Sequence, residues 1–286
     1  AIGDSALSTE DAGSGNVAIG HYALEEQNDD AGQNTAVGYQ AGLNLTTGSD
    51  NAFFGYNAAG LGVATGDNNC VFGYSAGYDL TSGHSNVLMG YRAGQNFTDN
   101  DSNVVIGSSA METANSDENY NIAIGDSALQ SLDGSSSDGN VAIGHTALQT
   151  LAVAGPAMTV IGYEAGKNAP TPNNSVYIGY QAVGTGAATG NDNVVIGYGS
   201  GRDLTSGSSN IFLGKDSGEN VTTGSYNIAV GVNAMEAAQA GVTGNIAIGH
   251  QTLMTENSSA DHCIAIGFEA LKLQNADVIN MAIGSY

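Results

Sequence analysis

A chain of 286 residues with 42 glycines, three prolines, no tryptophan and 12% charged residues is not composed like an ordinary globular enzyme. Its net charge of −23, with five Lys plus Arg in all, repels phosphate backbones and anionic headgroups, which argues against nucleic acid or a membrane surface as partner. A hydrophobic content of 41% is too high for a disordered chain, and no apolar run is long enough to span a bilayer.

From the N-terminus onward, one short motif returns throughout. Asn16-Val17-Ala18-Ile19-Gly20 comes back with its glycine at Gly38, Gly55, Gly73, Gly90, Gly107, Gly125 and Gly144. Two degenerate copies end at Gly162 and Gly179, and regular ones resume from Gly197 to Gly284. The glycines stand 17 to 19 residues apart, a period that predicts a solenoid, with length set by copy number. The expected fold is an all-β parallel β-solenoid of about sixteen coils, each a short strand followed by a polar loop. Residues 1–286 read as one array, opening inside a motif and closing just after one, as a window cut from a longer fibre would.

Each coil is numbered here from its glycine as zero. Position −1 is apolar in every copy and −3 in nearly every copy, and the two share one strand face, which is taken as the core face. Position −2 lies on the other face yet is also apolar, as at Ala18, Phe53, Leu88 and Phe212. A strand apolar on both faces is buried on both, so a second chain is expected against one of them. Position −4 is Asn in thirteen copies and predicts a coil-to-coil amide ladder. The zero glycine predicts positive φ or close backbone approach, and the small residue at +3 a tightly packed site. Cys70 and Cys263 lie eleven coils apart, too far to bond to each other within one solenoid.

Position +4 sorts the coils into two kinds. Leu or Met occupies it at residues such as Leu24, Met111 and Leu129, whereas Gly, Ala or Val does so at Gly42, Ala59, Gly77 and Val183. The two kinds alternate in blocks, giving a super-repeat of seven coils and about 124 residues. Size at −2 runs against size at +4, so the two are expected to fill one layer. That layer is placed between chains, on Phe53, Val71, Leu88, Val195 and Phe212 at −2 and on Leu24, Leu129, Leu148, Leu253 and Leu271 at +4. Position +1 of the second kind carries Tyr39, Tyr56, Tyr74, Tyr91, Tyr163, Tyr180 and Tyr198, predicting an aromatic ladder.

The repeat wording, NxAIGxxAG followed by TTG as between Tyr39 and Gly48, resembles the YadA-like head repeats of trimeric autotransporter adhesins and similar phage tail-fibre repeats. The resemblance implies a left-handed β-roll, three chains side by side, and a fibre at a cell surface or on a virion. The coils here are a few residues longer than is usual in that family.

Chemistry finds little purchase. The histidines, His21, His84, His145, His250 and His262, are scattered, and no motif places a nucleophile beside a base, so no enzymatic activity is expected. The acidic loops at Asp67, Asp99 to Asp101, Asp117 to Glu118 and Asp192 offer oxygens of the kind Ca²⁺ takes but match no known loop signature, and solvated turns are the simpler reading. The expected function is therefore mechanical, a fibre segment giving reach and attachment. The alternatives are an adhesin head binding glycan through the tyrosines, a subunit stacking end to end, and an ice-binding array on Thr46, Thr47, Thr205, Thr222 and Thr223.

Overall fold

In the computed structural model, the described residues are 1–9, 14–27, 32–62, 64–115, 117–132, 137–151, 157–238, 241–256, 261–274 and 280–285. They divide into two compact units, the first within Ala1–Asn140 and the second from Val141 onward. Both are parallel β-solenoids, and among the described residues there is no helix.

The first unit carries the three-residue strands β1 (Val17–Ile19), β2 (Thr35–Val37), β3 (Ala52–Phe54), β4 (Cys70–Phe72), β5 (Val87–Met89), β6 (Val104–Ile106) and β7 (Ile122–Ile124), and a short β8 (Ser131–Leu132). The second carries β9 (Val141–Ile143), β10 (Thr150–Leu151), β11 (Thr159–Ile161), β12 (Val176–Ile178), β13 (Val194–Ile196), β14 (Ile211–Leu213) and β15 (Ile228–Val230). It continues through β16 (Ile246–Ile248), β17 (Thr255–Glu256), β18 (Ile264–Ile266), β19 (Leu273–Gln274) and β20 (Met281–Ile283). Within each unit every motif strand pairs in parallel with its counterpart one coil on, in unbroken register: Val17 opposite Thr35, Phe53 opposite Val71, Val195 opposite Phe212. A single face of the coil thus becomes a sheet, one strand per coil.

The glycine column explains why the period is so strict. Gly38 has φ +142°, and a Cβ placed on it would lie 2.2 Å from the carbonyl oxygen of Gly55; Gly55 stands in the same relation to Gly73. Only glycine fits a corner where both the dihedral and the backbone of the next coil forbid a side chain. Both halves of the sequence expectation for this position hold together at one atom.

The strand faces are the reverse of those expected. The middle residue, position −2, is buried in every motif strand except the last, while −1 and −3 are half-buried or exposed. Ala18, Phe53, Val71, Leu88, Tyr177 and Phe212 fill the inside of the coil. They meet there the +3 alanines (Ala23, Ala41, Ala58, Ala76) and the +4 residues, buried except at Leu7 and Leu271. A third inward column at +7, Leu45, Leu80, Phe97, Leu132, Leu204 and Val221, closes the section. The inward columns are buried by one chain alone.

Size compensation between −2 and +4 is real, and it operates inside the coil. A Cβ on Gly42 would come within 2.7 Å of the Phe53 ring and 2.9 Å of Leu24. One on Gly77 would meet Leu88 at 2.9 Å, and one on Gly218 would meet the Phe212 ring at 2.7 Å. Each +4 glycine therefore lies against the −2 residue of its own coil or of the next. The next-coil contact accounts for Gly42, whose own −2 residue is the small Ala36 but whose next-coil neighbour is Phe53. It accounts equally for Met111, whose own Val105 pairs in the following strand with Ala123. Position +4 is also a left-handed site, with φ +59° at Gly42 and +51° at Leu24. A leucine held there costs about 1 kcal/mol or more of backbone strain, offset by the core volume it fills.

The residues assigned from sequence to an inter-chain layer are thus corrected. Phe53, Val71, Leu88, Val195, Phe212, Leu24, Leu129, Leu148 and Leu253 have at most 1% of their surface exposed within a single chain, and Leu271 is half-buried. Side chains with no surface left cannot form a joint with another molecule.

Candidate functional surfaces

With −2 turned inward, −1 and −3 become the outer face of each sheet. In the first unit this face carries Val17, Ile19, Phe54, Phe72, Met89 and Ile106, and in the second Ile161, Ile178, Val194, Ile211, Leu213 and Ile248. Phe72 is 55% exposed, Leu213 44% and Ile211 41%. The columns are apolar in every coil, with Thr35 and Thr159 as the polar exceptions. Scattered surface hydrophobics need no explanation, but a contiguous apolar strip running along a sheet is a candidate interaction surface.

Beside this face runs the +1 column. In the first unit His21, Tyr39, Tyr56, Tyr74 and Tyr91 stack in sequence, with ring centroids 5.5, 4.8, 5.1 and 5.5 Å apart and planes within 19° of parallel. In the second His145, Tyr163, Tyr180 and Tyr198 do the same at 5.1, 5.2 and 5.0 Å. The C-terminal end of each stack meets a cation: the Arg92 guanidinium is 5.1 Å from the Tyr91 ring, and the Lys215 ammonium 5.9 Å from that of Tyr198. Parallel strand register sets the spacing, because one coil advances about 4.8 Å, close to an offset ring stack. All seven tyrosines predicted from the sequence are in these two ladders. Each ring turns its faces to its ladder neighbours, so apolar stacking on a sugar finds mainly ring edges and hydroxyls there.

The buried asparagines form the predicted ladder, with the backbone as chief donor. The Asn51 N–H donates to Asn34 Oδ1 at 2.9 Å, Asn69 to Asn51 at 2.8 Å, and Asn86 to Asn69 at 3.1 Å. In the second unit Asn210, Asn227 and Asn245 continue the pattern at 3.0 Å each, and the Cys263 N–H closes it on Asn245. Their side-chain amides donate across the coil, as from Asn51 to the Gly66 carbonyl at 2.9 Å. Bonded in this way inside the coil, these amides serve structure.

A second polar ladder, at −6, escaped the sequence reading. Here the side chain reaches back: Asp67 Oδ1 accepts the Ser49 N–H at 2.7 Å, Asp101 that of His84 at 2.7 Å, and Asp261 that of Thr243 at 2.6 Å. Carboxylates read as solvated turn residues or Ca²⁺ ligands thus bond the preceding coil. Among the described residues no group of three His, Cys, Asp or Glu is gathered as a metal site. Two of the threonines are committed in like manner. Thr46 and Thr205 hydroxyls donate to the carbonyls of Ala64 and Thr222 at 3.4 and 3.0 Å.

All five cationic side chains are ion-paired. Arg92 reaches Glu112 at 3.3 Å, Lys167 reaches Glu164 and Lys272 reaches Glu269 at 3.1 Å each, Lys215 reaches Asp216 at 3.2 Å, and Arg202 pairs with Glu219. Hydrogen bonds from Gln181 and Lys167 hold the Glu164 carboxyl below its ordinary range. The sequence therefore leaves no unpaired basic patch for a phosphate. Neither cysteine is in a disulfide; Cys70 is exposed on the outer face and Cys263 is buried at a −4 position.

No protein-family description matches this chain, and no curated protein or solved structure is detectably similar to it.

Proposed function

We propose that this chain is a structural segment of a homotrimeric fibre, extracellular at a cell surface or on a virion, whose work is reach and attachment. The observation that carries the proposal is the open outer face. The single chain completes its own core and leaves two apolar columns, −1 and −3, uncovered along each sheet. Three copies side by side, each turning this face to the common axis, would bury it and leave the acidic loops in water. The resemblance to trimeric adhesin head repeats points to the same arrangement. The joint is assigned here to −1 and −3 and withdrawn from −2 and +4.

The test is the mass of the native protein by sedimentation equilibrium. The expected result is three times the chain mass of 28.7 kDa, falling to one chain when Ile161 and Ile178 are changed to Asp. A monomer at all concentrations would defeat the proposal.

A second reading, an adhesin head that itself holds glycan, rests on the exposed tyrosine ladders, which present hydroxyl edges to solvent. If it holds, replacing Tyr56 and Tyr74 by Ala abolishes binding to a glycan array; unchanged binding removes it.

A further inference from the structure

The outer face is not uniform, and at two adjacent coils its irregularity has the form of a lock. In most coils −3 and −1 are both branched aliphatics: Val104 with Ile106, Val176 with Ile178, Val194 with Ile196, Ile211 with Leu213. Thr35, Met89, Thr159 and Met281 are single departures, but two adjacent coils depart by pairing a small residue with a large one. β3 has Ala52 with Phe54, and β4 has Cys70 with Phe72. The strands pair in register, so the two small residues are neighbours, as are the two large ones. The result is a notch one column wide and two coils long beside an aromatic ridge of the same length, the rings 6.0 Å apart.

Small against large within one face is the signature of a surface that must mate with another, since solvent imposes no volume balance. The chain does not satisfy the balance by itself. At β4 Phe72 is 55% exposed and Cys70 is exposed, while Ala52 and Phe54 at β3 are half-buried, so much of this surface is left in solvent. The positions 124 residues on, Val176 with Ile178 and Val194 with Ile196, have the ordinary pair, so the device occurs once in the two modules.

We infer that Phe54 and Phe72 of one chain seat in the Ala52–Cys70 notch of a second copy, and that this contact fixes the chains in parallel, unslipped register. The inference rests on the homotrimer reading above. Two such faces related by an axis parallel to the solenoid bring the −1 column of one against the −3 column of the next. A repeat surface of otherwise interchangeable Val and Ile would tolerate a slip of one coil at little cost, because every coil offers nearly the same pair. A ridge that fits one notch removes that degeneracy, as a single irregular position does in other repetitive assemblies.

The test keeps both phenylalanines and reads register one coil beyond them. One chain carries V87C and C70A, a second carries M89C and C70A, and a third carries V104C and C70A; buried Cys263 stays in place in all three. The M89C chain is loaded with dibromobimane on its single accessible thiol and refolded with either partner, after sedimentation has shown that all three chains assemble. In-register packing links the M89C thiol to the V87C thiol, and a one-coil slip links it to the V104C thiol.

The expected result is that the V87C pairing outweighs the V104C pairing by roughly tenfold on a denaturing gel. Introducing F54V and F72V should bring the two yields together while the assembly mass is unchanged. A preference that survives F54V and F72V, an excess of the slipped product, or a trimer that gives neither product would overturn the lock while sparing the trimer. A protein that sediments as a monomer would overturn both.

Discussion

The two faces of the same three-residue strand obey different rules. On the inner face, −2 ranges from Ala to Phe and Tyr, and each size is matched by its +4 neighbours within the chain, as Gly218 is matched to Phe212. On the outer face, −1 and −3 keep to Val, Ile and Leu over most coils, vary together at β3 and β4, and have no partner in the chain. Hydrophobicity is the same on both. What differs is where the compensation lies: the inner face finds it within the chain, and the outer face does not.

The two faces should therefore fail differently under mutation. Changing Ile161 and Ile178 to Asp places two charges per chain on the outer face, and sedimentation should then find single chains with the far-ultraviolet circular dichroism unchanged. Loss of the β signal together with the mass would mean that the outer face also holds the coil. On the inner face, Phe212→Ala should cost about 3–5 kcal/mol in denaturant unfolding, because Gly201 and Gly218 have no side chain with which to fill the cavity. A loss below about 1 kcal/mol would show that the −2 column is not packed as described.

A smaller loss is expected for the ladder that holds both faces in register. Asn86→Ala removes the acceptor for the Asn103 N–H at 3.0 Å and the donor to the Asn100 carbonyl, and leaves both buried. The expected cost is about 1–3 kcal/mol, read as a drop in the unfolding midpoint. An effect of alkali, confined to high pH, comes last. Burial pushes the Tyr177 hydroxyl up to about 12, with Ser175 and Asn193 opposing the shift weakly. Its folded value is raised above its unfolded one, so its contribution to stability is whole below about pH 10 and is lost between roughly pH 10 and 12. In Tyr177→Phe that share of the alkaline loss should disappear from the pH dependence of unfolding.

Much of this was legible in the sequence. The period, the glycine corner, the asparagine ladder and the tyrosine stacks are columns, and a column shows itself by repetition without any knowledge of direction. Direction was the part that failed. Alternation reports inside from outside when one face is polar, and here Val17, Ala18 and Ile19 are all apolar. Which of them points inward is set by turn geometry, by the left-handed residues at +2 and +4 such as Tyr22 (φ 59°) and Leu24 (φ 51°), and hydropathy does not record it. The anticorrelation between −2 and +4 was the usable signal. Two positions six residues apart that exchange volume are most simply in contact within the chain.

Other columns were missed because their chemistry varies. The inward +7 position reads Leu45, Leu80 and Phe97 in some coils but Gln27, Gly62 and Gly186 in others, so no consensus residue marks it. The backward-reaching −6 ladder uses Asp67, Asp101, Asn191 and Ser208 interchangeably, since any side-chain oxygen at that distance accepts the same N–H. A column that repeats its role but not its residue type is invisible to a consensus.

The two cysteines offer the most direct check on the central claim that the outer face is covered by another chain. Cys263 is buried in the coil, and Cys70 lies on the open face of a single chain. In the native assembly, maleimide labelling should find Cys70 nearly as slow as Cys263, and should find it fast once Ile161 and Ile178 are changed to Asp. Rapid labelling of Cys70 in the unaltered native protein would contradict the account.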